Sequence, residues 1–243
     1  MGGRKLFVKL EPFFMEHKIK MGRDGFFNLL QRNSLLVRRK KRKIYTTQSF
    51  HWFRKYPNKI KNLPSPCAPN QLWVSDITYW KINSQNIYIS LITDAFSRKI
   101  VGYHAAETLE TVETIQALHQ ALAGLKTTPV GLVHHSDRGI QYCSTEYANL
   151  LKMNKIDISM TENGDPYENA LAERMNGILK EEYLNDYSIE TVAQAKLALE
   201  LAVDLYNNDR PHLSCNYHTP HYMHSLESAD VEMMDNSKTL ELT

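Results

Sequence analysis

Cysteine is scarce in this chain: 243 residues hold three, Cys67, Cys143 and Cys215. They are odd in number, far apart and never in a CxxC pair. That excludes a disulfide framework and a Cys-based zinc module, and it fits a reducing compartment. Long apolar runs are missing too. None approaches the length that crosses a bilayer, and no apolar stretch with a small-residue cleavage site opens the chain, so neither membrane association nor export is expected and the expected setting is cytoplasmic. Net charge is nearly absent, +2 from 29 Lys and Arg against 27 Asp and Glu. What is present is enough apolar material, 42% of residues, for a packed core, which excludes global disorder.

The near-zero charge is an average over two unlike parts. Residues 1–63 hold 17 Lys and Arg against 3 Asp and Glu; the other 180 hold 12 against 24. A basic head of this density suits a phosphate backbone better than a solvated arm, because it also carries apolar and aromatic residues. Phe26, Phe27, Leu29 and Leu30 suggest a short helix capped by Asp24. The run Arg38, Arg39, Lys40, Lys41, Arg42, Lys43 cannot be buried and is the candidate DNA contact, with Tyr45, Phe50, Trp52, Phe53 and Tyr56 interleaved beyond it. Pro64, Pro66 and Pro69 fall where the charge balance changes sign. The expected organisation is a basic helical module over residues 1–62, a Pro-rich linker over 63–71, a core over 72–224 and a loose acidic tail over 225–243.

Within the core, residues 72–80, 87–94 and 99–105 read as three strands of a meander, and 130–135 and 156–160 as two more. Helical spacing marks 111–125, 145–153, 165–184 and 188–206, the third opened by Asp165, Pro166 and Glu168 in a capping-box arrangement. An antiparallel meander leading into α/β units predicts a mixed five-stranded sheet flanked by helices.

Three acids stand out on these elements. Asp76 lies in mid-strand, where Asp is depleted. Asp137 leaves the fourth strand in Ser136-Asp137-Arg138-Gly139, and Glu173 is placed about two turns into the third core helix beside Ala170, Leu171 and Ala172. Taken singly, Asp137 is as readily a turn residue, Glu173 an exposed helix acid and Asp76 a cap on a bulge. Taken together they can converge. Converging carboxylates repel unless a cation neutralises them. Hard oxygen ligands suit Mg²⁺ or Mn²⁺, and two such ions about 3.5–4 Å apart serve in-line displacement at phosphorus.

The spacing is Asp76, 60 residues, Asp137, 35 residues, Glu173. With the words around Asp76, Asp94 to Gly102, His135 to Tyr142, Ser159 to Glu173 and Tyr206 to His212, it resembles the insertion sequence three family of transposases, within the DDE transposase and retroviral integrase superfamily. The likeness runs from Gly22 to Pro220. It implies an RNase H-like core with a helix-turn-helix-like basic portion before it. It implies Mg²⁺-dependent DNA cleavage and 3′-OH strand transfer, with Asp76, Asp137 and Glu173 as catalytic metal ligands. It further implies double-stranded DNA as partner, a homo-oligomer on DNA, a nucleoid-associated bacterial setting and the product of an upstream reading frame as a further partner. Cys215 departs from the Leu usual in that word of the family, which touches packing rather than the acids.

Lys180, seven residues after Glu173, shares its helix face and is a candidate phosphate contact or a solvated lysine. Arg174 is turned away by about 100°. Asp94 reads as a hairpin-turn residue, at least one of His134 and His135 as strand packing, and His218, His221 and His224 as no zinc site. A metal nuclease that only cuts, and a DNA-binding regulator with a silent core, are the competing readings.

Overall fold

The computed structural model describes residues 2–36, 52–82, 85–162 and 169–226. The β-branched runs form β1 (Leu72–Ile82), β2 (Gln85–Asp94) and β3 (Ile100–Ala106) as an antiparallel meander, and β4 (Val133–Ser136) and β5 (Asp157–Met160) add in parallel. The sheet order is β3-β2-β1-β4-β5, so β1 is central, antiparallel to one neighbour and parallel to the other. The five expected strands are all present. The fourth starts at Val133, three residues late, because the chain is still turning through Gly131 at φ 81°.

Both faces of the sheet are covered, which is why β2 is buried from Ile89 to Asp94 without alternation. Leu91 and its neighbour Ile92 point to opposite faces. On the Leu91 face, Ile87, Ile89 and Trp80 pack with Met175, Ile178 and Leu179 of α6 (Ala170–Leu179) and with Leu199, Ala202 and Tyr206 of α7 (Val192–Asn208). On the Ile92 face, Trp73 and Ile158 pack with Leu118 and Ala121 of α3 (Thr111–Ala123) and Tyr147 and Leu151 of α5 (Thr145–Met153). A β-carbon at Gly102 would stand 2.1 Å from the Ala117 carbonyl oxygen, so only glycine lets α3 lie this close to β3. Short helices α4 (Ile140–Cys143) and α8 (Pro220–Ser225), absent from the periodicity, fill in the edges.

Ahead of the sheet, α1 (Gly3–Glu16) and α2 (Arg23–Arg32) pair through Phe7, Phe14 and Phe26, whose ring centroids lie 5.5–5.9 Å apart. Gly22 occupies the N-cap of α2 and Asp24 lies in its first turn, so the expected Asp24 cap is replaced by a favourable charge near the helix N-terminus. The expected runs Arg38 to Lys43 and Asp165 to Glu168, and the acidic tail from residue 227, lie outside the described residues.

Two helix boundaries differ from expectation. α6 begins at Ala170, not 165, with Asn169 at its N-cap, and passes into a π-helical turn at Lys180–Leu184. α7 begins at Val192, where Thr191 and Gln194 close a reciprocal capping box.

Candidate active site

The parallel register of β1 with β4 pairs Val74 with His135 and Ser75 with Ser136. The next residue on each strand is an acid. Asp76, within β1, and Asp137, just past β4, therefore stand side by side where the β1–β4 ladder ends. Asp76 stays paired with Leu91 on β2. Asp137 has already left its strand, and its Oδ1 accepts from the Gly139 N–H at 2.9 Å. The turn reading of Asp137 and its placement beside Asp76 thus hold together.

α6 lies along β1 and is tied to it by polar contacts from one helix face. Asn169 Nδ2 donates to the Ser75 carbonyl at 3.1 Å, Asn176 Nδ2 to Asp76 Oδ2 at 2.7 Å, and Lys180 Nζ to Thr78 Oγ1 at 2.8 Å and the Tyr79 carbonyl at 3.3 Å. Glu173 falls between Asn169 and Asn176 in this i, i+4, i+7, i+11 series. It is exposed and in the first turn of α6, not two turns in, because the helix begins five residues later than its periodicity suggested.

Electrostatics links the three acids. The Asp76 carboxyl is pushed up to about 8, first by burial, then by the charge of Asp137, with Glu173 adding to the rise; the Asn176 amide and the Ile77 N–H pull the other way. Both other acids thus act on Asp76. Among the described residues, no group of three His, Cys, Asp or Glu is placed to hold one metal ion. The donor chemistry nevertheless fits a hard divalent cation: the acids offer oxygen alone, and Asp76 is a carboxyl whose charged form lacks compensation.

Asn176 was not singled out from the sequence. The signal was there: an amide 4% exposed, three residues after Glu173 on a helix whose other inward residues are Met175, Ile178 and Leu179. Its Oδ1 and that of Asn169 are buried without a hydrogen-bond partner among the described residues. Lys180 is half-buried on Thr78, with its ammonium 5.3 Å from the Tyr79 ring; burial lowers its pKa and the charge of Asp76 works against that. Its contacts are with the protein's own sheet.

The other candidates hold the fold. His134 meets the Tyr147 hydroxyl at 3.0 Å, and burial beside His135 takes it down to about 3; His135 Nδ1 lies 2.8 Å from Ser159 Oγ. Asp94, wholly buried, accepts from the N–H groups of Asn70 and Ser97 at 2.7 Å, and ties the β2–β3 turn as expected. His224 Nδ1 is 2.9 Å from Ser97 Oγ, and the His218 ring stacks on Tyr222 at 4.5 Å.

Two family profiles, both described as integrase core domain, match residues 66–166 and 154–220. The insertion element IS600 uncharacterized 31 kDa protein of Shigella sonnei is 33% identical over 205 residues, 84% of this chain and 75% of that one. The transposase for insertion sequence element IS629, also of Shigella sonnei, is 40% identical over 142 residues, 58% of this chain and 47% of its own length. Among solved structures, the HTLV-2 integrase catalytic core domain in complex with magnesium superposes with a TM-score of 0.52 at 23% identity, covering 65% of this chain and 97% of that one. The simian T-cell lymphotropic virus intasome superposes with a TM-score of 0.58 at 21% identity, covering 72% and 60%. The mixed sheet with its helices is therefore the RNase H-like integrase core fold, and no described helix is long and apolar enough to cross a membrane. By its relatives and its integrase core, the chain belongs to the insertion sequence three family of transposases.

Proposed function

We propose that this chain cleaves DNA at the ends of an insertion sequence and joins the resulting 3′-OH to a target strand, with Asp76, Asp137 and Glu173 as the ligands of Mg²⁺ or Mn²⁺, two ions in all. The observation that carries this is the placing of Asp76 and Asp137 at the end of one parallel register, with Asp76 raised to about 8. Two carboxyls sharing a half-buried edge are costly, and a divalent cation removes the cost. When bound, the ions would activate the attacking oxygen and stabilise the leaving one.

The chain's own residues hold the geometry. Asn176 donates to one oxygen of Asp76, and the Ile77 N–H also bonds the carboxyl. Gly139 fixes one oxygen of Asp137. Glu173 stands on the same helix face as Asn176, at the exposed margin where DNA would approach. In cleavage a water oxygen bonds to phosphorus and the P–O3′ bond breaks, leaving a 3′-OH and a 5′-phosphate. In joining, that 3′-OH attacks a target phosphodiester and a target 3′ oxygen leaves. Neither step needs a covalent protein–DNA intermediate.

The basic segment over residues 1–62, with Arg38 to Lys43, would supply sequence-independent affinity for duplex DNA. A homo-oligomer on paired ends, and association with the product of an upstream frame, belong to the same reading.

Asp137→Asn tests it. Metal-dependent cleavage and transfer of a free 3′-OH donor are expected to vanish, with duplex affinity within about threefold of wild type. Turnover that survives the substitution ends the assignment; wild-type cutting with no joined product favours a nuclease, and binding without either favours a regulator. Changing Arg38 to Lys43 to Gln is expected to weaken binding and flatten its salt dependence. An unaltered slope would take that run out of the DNA contact.

A further inference from the structure

About 100° round α6 from Glu173, at Arg174, a group of cations begins. Arg98 comes from the turn between β2 and β3, Arg210 and His212 from the segment after α7, and Lys5 from α1. They form one cluster. Burial and the charges of Arg210, Lys5, Arg98 and Arg174 press the His212 imidazole down to about 3, and burial with Arg210 and Arg174 brings Lys5 to about 8. The carboxylate that faces them, Glu182, is held by Arg210 through two bonds of 2.8 Å.

Two polar atoms at the centre of this cluster are buried without a hydrogen-bond partner among the described residues: Arg210 Nη1 and His212 Nε2. Their residues are 1% and 6% exposed. They flank the Tyr206 ring, the guanidinium 5.6 Å and the imidazole 6.4 Å from its centroid. His212 Nδ1 lies 2.9 Å from Ser214 Oγ, which accepts from Arg98 Nε at 3.1 Å. With the Ser214 proton given to Nδ1, the ring proton sits on Nε2. Both unpaired atoms are then donors in a site that is short of anions, and buried donors are rarely left unmade.

We infer that Arg98, Arg174, Arg210 and His212, with Lys5 at the rim, form a binding site for a phosphate group of the DNA backbone, one helix face away from the acids. The inference rests on the DNA reading above and extends it to residues that the acid chemistry does not use. The arrangement favours a polyanion over a lone phosphate ion. Arg174 is exposed and Arg98 half-buried, so the cations form a track from the surface toward the buried donors, whereas a single ion would need only the latter. A phosphate reaches the two buried donors only if a neighbouring element moves. Helix α1 buries none of its side chains fully and reaches the core through Lys5 and a Lys9–Asp209 ion pair.

The test uses the full chain and a labelled duplex in EDTA, where no cleavage occurs. The double variant Lys5→Gln/Arg174→Gln and the single variant His212→Phe are compared with wild type after thermal melting. The double variant is expected to bind about tenfold more weakly at low salt. Its plot of log Kd against log salt should be shallower by about one to two, since each lost phosphate contact removes about 0.9. His212→Phe, which removes a neutral donor, should weaken binding by a smaller step and leave the slope unchanged. Should the double variant melt early, Arg174→Gln alone, at an exposed position, carries the measurement. An unchanged slope in the folded Lys5/Arg174 variant, or unchanged affinity in folded His212→Phe, overturns the site. So does a second result: inorganic phosphate, against chloride of equal ionic strength, raises the melting temperature of wild type but not of the variants while the DNA slopes stay equal, which would make the ligand the free ion. Cleavage in Mg²⁺ is scored separately. A wild type that binds with the expected slopes but never cuts sinks the catalytic reading and supports this site; cutting with unchanged slopes sinks this site alone.

Discussion

On one side of the first turn of α6 stand three carboxylates, Asp76, Asp137 and Glu173; on the other stand Lys5, Arg98, Arg174 and Arg210 around His212. Each group crowds charges of one sign, yet they relax differently. A carboxyl can take up a proton, and Asp76 does so, with its pKa at about 8. A guanidinium cannot lose one at any ordinary pH. The cationic side therefore lowers the pKa of its weaker members, Lys5 and His212, and recruits Glu182 for Arg210. The acid side is thereby able to switch with pH or with a bound cation, while the cationic side is a fixed positive field.

The sharpest way to break that contrast is Glu182→Gln. Burial alone would push the Glu182 carboxyl up, but the two bonds and charge of Arg210 hold it below the ordinary range. Removing its charge leaves a guanidinium 1% exposed beside other cations. Such a loss costs about 3–5 kcal/mol, a fall in Tm of roughly 6–20 °C for a chain this size. Pairing the change with Arg210→Met should restore most of it. A fall under about 2 °C would mean that the cationic side does not depend on Glu182.

An effect of comparable size is expected from Asp76→Asn, and it should depend on pH. The folded carboxyl at about 8 lies above its ordinary value of 3.8, so between those limits the folded state holds the proton more firmly. Stability from this group is complete below about pH 4 and is lost as pH rises toward 8. The variant carries no such loss. Its Tm should match wild type near pH 4 and exceed it by roughly 10 °C or more at pH 8, with Mg²⁺ closing the gap by stabilising wild type alone. A difference that stays flat with pH would show Asp76 ionising as an ordinary carboxylate and the acid pair as slack.

How much of this was written in the sequence follows from which contacts are local. The strands were legible because Val, Ile, Tyr and Trp run in short blocks between turns, and Asp76 stood out for lying inside one. Asp137 was placed beside it by a register that two parallel strands fix within a few residues. Glu173 was legible as a residue but not in its setting, since the helix starts at Ala170. Asn176 was legible in principle, a polar residue on an apolar face. The pairing of Glu182 with Arg210, 28 residues apart, was not, because acids and arginines are common on any surface and only packing buries this pair. Nor was α1, where Pro12 and scattered phenylalanines blur the helical period.

The finest probe of the two-sided picture is Lys180→Met, because Lys180 is a cation on the acid side. Methionine keeps the stem on β1 and removes the bonds to Thr78 and Tyr79 and the contact with the Tyr79 ring. A partly exposed tie of this kind is worth about 1 kcal/mol, so Tm should drop by roughly 2–4 °C. The informative readouts are two others. The charge of Asp76 raises the pKa of Lys180, so by reciprocity the ammonium favours the ionised carboxyl. In the Met background the pH-dependent gain from Asp76→Asn should therefore widen. The salt slope of duplex binding should stay that of wild type, since the ammonium is committed to the sheet. A slope shallower by about one, with no widening of the Asp76 effect, would mean that Lys180 leaves Thr78 for a phosphate, and that the acid side carries its own backbone contact instead of leaving that task to the arginines across the helix.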